Sequence, residues 1–124
     1  DQTTPNGSFT SNTGNSTAIT VDISSATDEI VFDYARQVND GGVRPTFTVG
    51  AGQTQMENIS STWETVGSYQ AGTGSPVVMS WTGTSTFLWA TTGVNLNAAA
   101  AASTQYERIS LERPFNMTVS RGRM

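Results

Sequence analysis

Large apolar residues in this chain recur at every second position, and no stretch repeats them at the three-to-four-residue spacing of an α-helix. The clearest run is 18–24, where Ile19, Val21 and Ile23 alternate with polar residues. Residues 77–82 show the same alternation. A period of two is typical of a strand with one buried face. The pattern therefore predicts an all-β chain.

Glycine-rich segments separate the alternating runs at intervals of about ten residues, which is the spacing of strands in β-sandwiches. The predicted strands are 18–24, 29–38, 44–49, 53–59, 61–69, 77–82 and 87–96, with two further extended segments at 105–111 and 115–119. We expect 77–82 and 87–96 to pair as an antiparallel hairpin through Gly83 and Thr84. Together these strands predict an antiparallel β-sandwich or a jelly-roll-like barrel with extended N- and C-terminal arms.

Composition divides the chain into three regions. Residues 1–17 are mostly Thr, Asn, Ser and Gly, with Phe9 as the one large apolar side chain, and we interpret them as an extended N-terminal arm. Residues 18–97 form the predicted β-sandwich domain. Residues 98–124 begin with an alanine-rich spacer and continue as a basic strand or arm. The chain begins at Asp1 rather than Met, which we interpret as a processed, trimmed or engineered form.

The sequence has no Cys and no His, which excludes thiolate and imidazole catalysis together with the usual zinc sites. Two carboxylates on one strand, Glu29 and Asp33, would lie about 13 Å apart, beyond the roughly 5–9.5 Å of a glycosidase pair. Ser80 and Ser110 have no His or Lys to activate them. We therefore predict a non-enzymatic protein without cofactor or metal, and we expect the carboxylates between Asp28 and Asp40 to lie on a solvated strand face.

Charge is sparse and unevenly distributed. Charged residues make up 13% of the chain and the formal net charge is −4, carried by ten carboxylates against six arginines and no lysine. Residues 1–103 have a net charge of −6, and residues 104–124 have a net charge of +2. Nucleic-acid binding needs clustered positive charge, so we expect none. The longest uncharged stretch, 65–106, is interrupted by Gly, Ser and Thr throughout, and we expect no membrane span.

Exposed aromatic and basic side chains are the candidates for interaction with a partner. Trp81 shares the parity of Val77 and Met79, so we expect it in the core, whereas Trp89 lies opposite Leu88 and should be partly exposed or at an interface. The basic tail is either a pair of ordinary final strands or an arm that docks on an acidic neighbouring subunit. The candidate interaction residues are Phe9, Trp63, Tyr69, Trp89, Arg113, Phe115, Met117, Arg121 and Arg123.

Three segments carry a resemblance to known proteins: VGAGQT at 49–54, VVMSWT at 77–82 and WATTGVNL at 89–96. In residue composition and strand spacing they resemble the Gly/Thr-rich β-sandwich modules of phage structural proteins and of secreted bacterial proteins. Residues 19–34 are similar to the paired first strands of such a module, so the resemblance covers about two-thirds of the chain. It implies a β-sandwich and transfers no catalytic or binding residue.

These features favour a non-enzymatic virion structural protein, of the kind that decorates or cements a phage capsid. Such a subunit would lie at the virion surface and contact copies of itself, and a major capsid or other structural protein, through its arms and its sandwich. One alternative is a secreted or cell-surface carbohydrate-binding or adhesion module that uses Trp63, Tyr69 or Trp89 as a stacking platform. The other is an extracellular filament subunit that donates residues 1–17 as a strand to its neighbour.

Overall fold

A computed structural model describes residues 4–38, 44–60 and 63–99, and its regular structure in these ranges is all β-strand. The strands are β1 (Thr10–Ile23), β2 (Ile30–Val38), β3 (Phe47–Val49), β4 (Thr54–Ile59), β5 (Thr65–Ala71) and β6 (Val77–Leu96). Across these ranges we find no helix with the length and hydropathy to cross a membrane.

The six strands form one antiparallel sheet in the order β1-β6-β2-β5-β4, and β3 pairs with β6 outside this path. Strand β6 is central: β1 lies along one side of it, and β2 and then β3 lie along the other. This arrangement confirms the predicted all-β antiparallel fold and is consistent with a sandwich or barrel-like form.

The predicted hairpin at Gly83 is wrong, because β6 runs without interruption for 20 residues. Strand β1 pairs with both of its halves, and only Thr17 lies opposite residues 83–86. Gly83 is required for packing and not for a turn. A Cβ on it would stand 2.9 Å from Cζ of Phe87, whose ring meets that of Phe47 edge to face at 5.1 Å.

The register shift between Ser16 and Ala18 divides the β1–β6 ladder into two halves, and the Ile23 side chain of one half lies against Gly93 of the other. A hydrogen bond of 2.7 Å joins Trp81 in the first half of β6 to Asp33 on β2. The core between the halves consists of two clusters: Ile19, Ala35, Phe47, Val66, Trp81, Phe87 and Trp89 form the first, and Val21, Ile23, Val31, Val77 and Met79 form the second. Burial of Trp81 confirms its predicted core position.

Strand β1 begins at Thr10, eight residues before the start that alternation predicted. The early part carries Thr, Asn and Ser, so apolar alternation does not mark it as a strand, although it pairs with β6 from Thr10↔Gly93 to Ser16↔Phe87. Residues before the strand also contact β6: Asn6 forms a bridge with Leu96, and Gly7 donates its N–H to the Asn95 carbonyl at 2.9 Å. Much of the expected arm thus lies along β6.

Candidate functional site

The second half of β6 and strands β2, β5 and β4 present one side to solvent, which we call the outer face. Its centre is β2, whose Ile30, Phe32 and Tyr34 share that side, as the alternation predicted. Pairing with β6 and β5 extends the face in both directions, because paired residues of an antiparallel sheet point to the same side. Phe32, for example, lies between Val94 and Tyr69.

Large apolar side chains remain exposed across the outer face. Six of them are between 37% and 56% exposed: Ile30, Tyr34, Ile59, Tyr69, Leu88 and Leu96. Phe32 and Val94 lie among them and are half-buried. The largest apolar patch on a monomeric protein is usually about 300–600 Å² and is often functional. A face with this density of apolar side chains is typical of a surface that another molecule covers.

Aromatic rings dominate the middle of the face. The rings of Phe32 and Tyr69 lie with centroids 6.0 Å apart, and the Tyr34 ring extends over Gly67, where a Cβ would approach Cδ2 of the tyrosine at 3.1 Å. A shallow, almost wholly apolar hollow of about 250 Å³ lies beside Tyr34 and Arg36. These rings make the middle of the outer face aromatic.

Two charged residues mark the outer face among the residues that the structure describes. Arg36 on β2 holds its guanidinium carbon 4.4 Å from the centre of the Trp63 ring, a cation–π contact. Glu57 on β4 pairs with Gly67, which pairs with Tyr34, so the carboxylate shares the row of that tyrosine. The face is therefore apolar, with one positive and one negative group.

The two edges of the sheet are less suited to binding a partner than its outer face is. On edge strand β1, Asn12 donates its side-chain amide to the Thr20 carbonyl at 2.9 Å, and Ser16 donates its hydroxyl to the Ala18 carbonyl at 2.7 Å. Strand β4, the other edge, is irregular between Gln55 and Glu57. Occupied carbonyls and bulges are features that prevent addition of a further strand.

Asp33 is buried, at 3% exposure, and the expectation that it lies on a solvated face is wrong. One carboxylate oxygen accepts hydrogen bonds from the backbone N–H and hydroxyl of Ser68, and the other accepts from the Trp81 indole N–H. Burial raises the pKa of this carboxyl above its ordinary 3.8, and the hydrogen bonds only partly oppose that increase.

A chain of hydrogen bonds extends from Asp33 across the core. Gln53 donates its side-chain amide to the Ser68 hydroxyl at 2.7 Å, and its carbonyl oxygen accepts the Ser80 backbone N–H at 2.7 Å. The chain joins β2, β5 and β6, and each polar group in it has a partner. We assign it a structural role, because it fixes the two layers relative to each other. No cluster of three metal-ligating side chains occurs in the part of the chain that the structure describes.

The structure places the sequence-predicted interaction residues in different settings. Trp63 and Tyr69 are exposed on or beside the outer face, and Phe9 is 71% exposed near the start of β1. Trp89 is 7% exposed and donates its indole N–H to Ser16 at 3.1 Å, so the expected partial exposure is wrong. Its side of β6 is the inner one along the whole strand. Asp40 and the predicted residues of the tail, Arg113, Phe115, Met117, Arg121 and Arg123, lie outside the described residues.

Sequence reasoning did not identify Ile30, Tyr34 or Leu96 as surface residues with a role. A signal for them exists in the run Ile30-Val31-Phe32, which places apolar side chains on both sides of one strand. Such runs are typical of strands that are covered on both faces. Comparison with protein-family models, with curated proteins and with solved structures gave no match.

Proposed function

We propose that the chain is a non-enzymatic virion structural protein of the decoration or cement type, which stabilises a particle by binding other subunits. The observation that carries the proposal is the exposed apolar outer face, centred on Phe32, Tyr34 and Tyr69. Covering apolar surface contributes about 25 cal/mol per Å² before the costs of association. A subunit that leaves this much apolar area open gains stability from a neighbour.

The remaining features support the same role. The resemblance of residues 49–97 to Gly/Thr-rich modules of phage structural proteins favours a place at the virion surface, against copies of itself and a capsid protein. A sequence without Cys or His supports a role in assembly over a role in catalysis. The buried carboxylate of Asp33 is engaged by Ser68 and Trp81, which supports a structural role for that group as well.

Carbohydrate binding is the second candidate, and the hollow beside Tyr34 and Arg36 favours it. A sugar ring could stack on Tyr34 while the guanidinium of Arg36 donates hydrogen bonds to its hydroxyls. A filament built by strand donation is less favoured, because Asn12 and Ser16 occupy carbonyl groups of the edge strand β1.

The solution mass of the full chain tests the proposed function. Light scattering over a range of concentrations, with electron microscopy of the same sample, is expected to give a closed oligomer of defined size. Filaments would support strand donation instead. A monomer at every concentration, whose tryptophan fluorescence changes on titration with sugars, would replace assembly with carbohydrate binding.

A further inference from the structure

The outer face has the dimensions of a stable protein–protein interface. Together with the start of β1 the outer face is five strands wide, which at ~4.8 Å per strand is about 24 Å. Its ladders contain about seven residue pairs, which at ~3.4 Å per residue give a similar length. The product of these two lengths, about 580 Å², is of the same order as the roughly 800 Å² that each partner contributes to a standard interface. Its rim on β1 is polar, formed by Ser11, Thr13 and Asn15.

The two charges on the face are placed for contact with a second copy. Arg36 and Glu57 lie two strands and about two residues apart, which is about 12 Å between Cα atoms. In a two-fold symmetric dimer every contact between two different residues occurs twice. If Arg36 contacts Glu57 of the partner subunit, then Glu57 also contacts Arg36 of the partner subunit. A face with one cation and one anion at separate positions can therefore place each charge opposite the unlike charge of a second copy.

The apolar centre agrees with this symmetry. When Arg36 is placed over Glu57 of the partner subunit, the two-fold axis lies in the plane between the sheets and bisects the line joining the two residues. From the strand register, that axis passes close to Phe32 and Tyr34. The aromatic centre of one copy then meets the aromatic centre of the other, away from solvent.

We propose that the outer face binds the outer face of a second copy in a two-fold symmetric dimer, with Arg36 paired to Glu57 of the partner subunit. The inference rests on the proposed function, because it specifies the partner and the surface that the assembly uses. Two sheets that pack face to face bury their side chains in the same way as the layers of a β-sandwich.

The first test is the dimer dissociation constant, measured by sedimentation of the full chain. Tyr34→Arg places a charge in the apolar centre and is expected to raise the constant about 30-fold or more, as for loss of a central interface residue. Val78→Arg is the matched control, since Val78 is an exposed strand residue of β6 outside the outer face. The control should dimerise as the unsubstituted chain does.

The second test is a mixing experiment with charge reversals. Arg36→Glu alone places two carboxylates against each other, and Glu57→Arg alone places two guanidinium groups together, so each variant should dimerise weakly. In an equimolar mixture, both contacts of the mixed dimer join opposite charges, and dimers should re-form. A contact within one chain could not be restored by mixing.

The outcomes separate this inference from the function on which it rests. An unsubstituted chain that stays monomeric contradicts both. If the unsubstituted chain assembles but Tyr34→Arg assembles equally well, or if mixing restores nothing, the outer-face dimer is wrong while assembly stands. Circular dichroism of each variant confirms that the sheet is intact before its mass is interpreted.

Discussion

At the scale of single residues, the most informative position is Asp33, a buried carboxylate that joins β2 to β5 and β6 through hydrogen bonds. Sequence reasoning placed it at the surface, because an Asp is almost never fully buried unless it is paired. The donors that permit its burial, Ser68 and Trp81, are 35 and 48 residues away in the chain. Neither neighbour is recognisable without the fold, which is why alternation alone predicted the strand but not the environment of this side chain.

The pH dependence of stability reports on that environment. Because burial raises the pKa of Asp33 in the folded state, the folded chain binds a proton at a pH where the unfolded chain, with a pKa near 3.8, does not. The contribution of Asp33 to stability should therefore increase as pH falls through the folded pKa towards 3.8. It should decrease as pH rises through the same range.

Asp33→Asn is the reference for this prediction, since the amide does not titrate. The free energy of unfolding in urea, measured for both chains between pH 7 and pH 4, should shift in favour of the unsubstituted chain as the solution becomes more acidic. A difference in unfolding free energy between the two chains that is independent of pH, or that changes in the opposite direction, would contradict this prediction.

At the scale of secondary-structure elements, alternation predicted the strands well where one face is buried, as for Ile19, Val21 and Ile23. It failed at Gly83, because glycine serves both in turns and where a neighbouring side chain, here that of Phe87, needs space. It also failed for Trp89, because an apolar residue such as Leu88 on the opposite side of β6 indicates a buried side, although Leu88 lies on the outer face and is 56% exposed. A strand with apolar residues on both sides gives no sequence signal for which side is the core.

Close packing between the halves of the sheet makes Gly93 a sensitive position. A Cβ there would stand 2.7 Å from Cγ1 of Ile23, which is fully buried, and 3.2 Å from the Phe32 carbonyl oxygen. Neither neighbour has room to move, so Gly93→Ala should destabilise the chain by about 1–3 kcal/mol, the usual cost of overpacking a core.

Gly67→Ala is the matched control for that substitution. A Cβ at Gly67 meets the Tyr34 ring at 3.1 Å, but this ring is 46% exposed and can turn away. Urea unfolding at low protein concentration should therefore show a clearly smaller loss for Gly67→Ala than for Gly93→Ala. Equal losses would mean that the two halves of the sheet are not in contact at Gly93.

At the scale of the whole molecule, the sheet has one covered face and one open one. The inner face is closed by the folding of β1 and β6, and the hydrogen bonds of Asp33 and Gln53 fix its layers. The outer face carries large apolar side chains, as a core does. Over the described residues, this face is open to solvent. Composition and alternation predicted the fold class, but which faces meet depends on contacts between residues far apart in the chain, such as Ile23 with Gly93.

Hydroxyl-radical footprinting of the full chain, from dilute to concentrated solution, tests the outer-face interface most directly. Oxidation of Tyr34 and Tyr69 is expected to fall as concentration rises, because a second copy covers both rings. Oxidation of Val78, which is 56% exposed and lies outside the outer face, should stay constant and serves as the internal reference. Equal oxidation of the two tyrosines at all concentrations, or protection of Val78 in their place, would contradict the account.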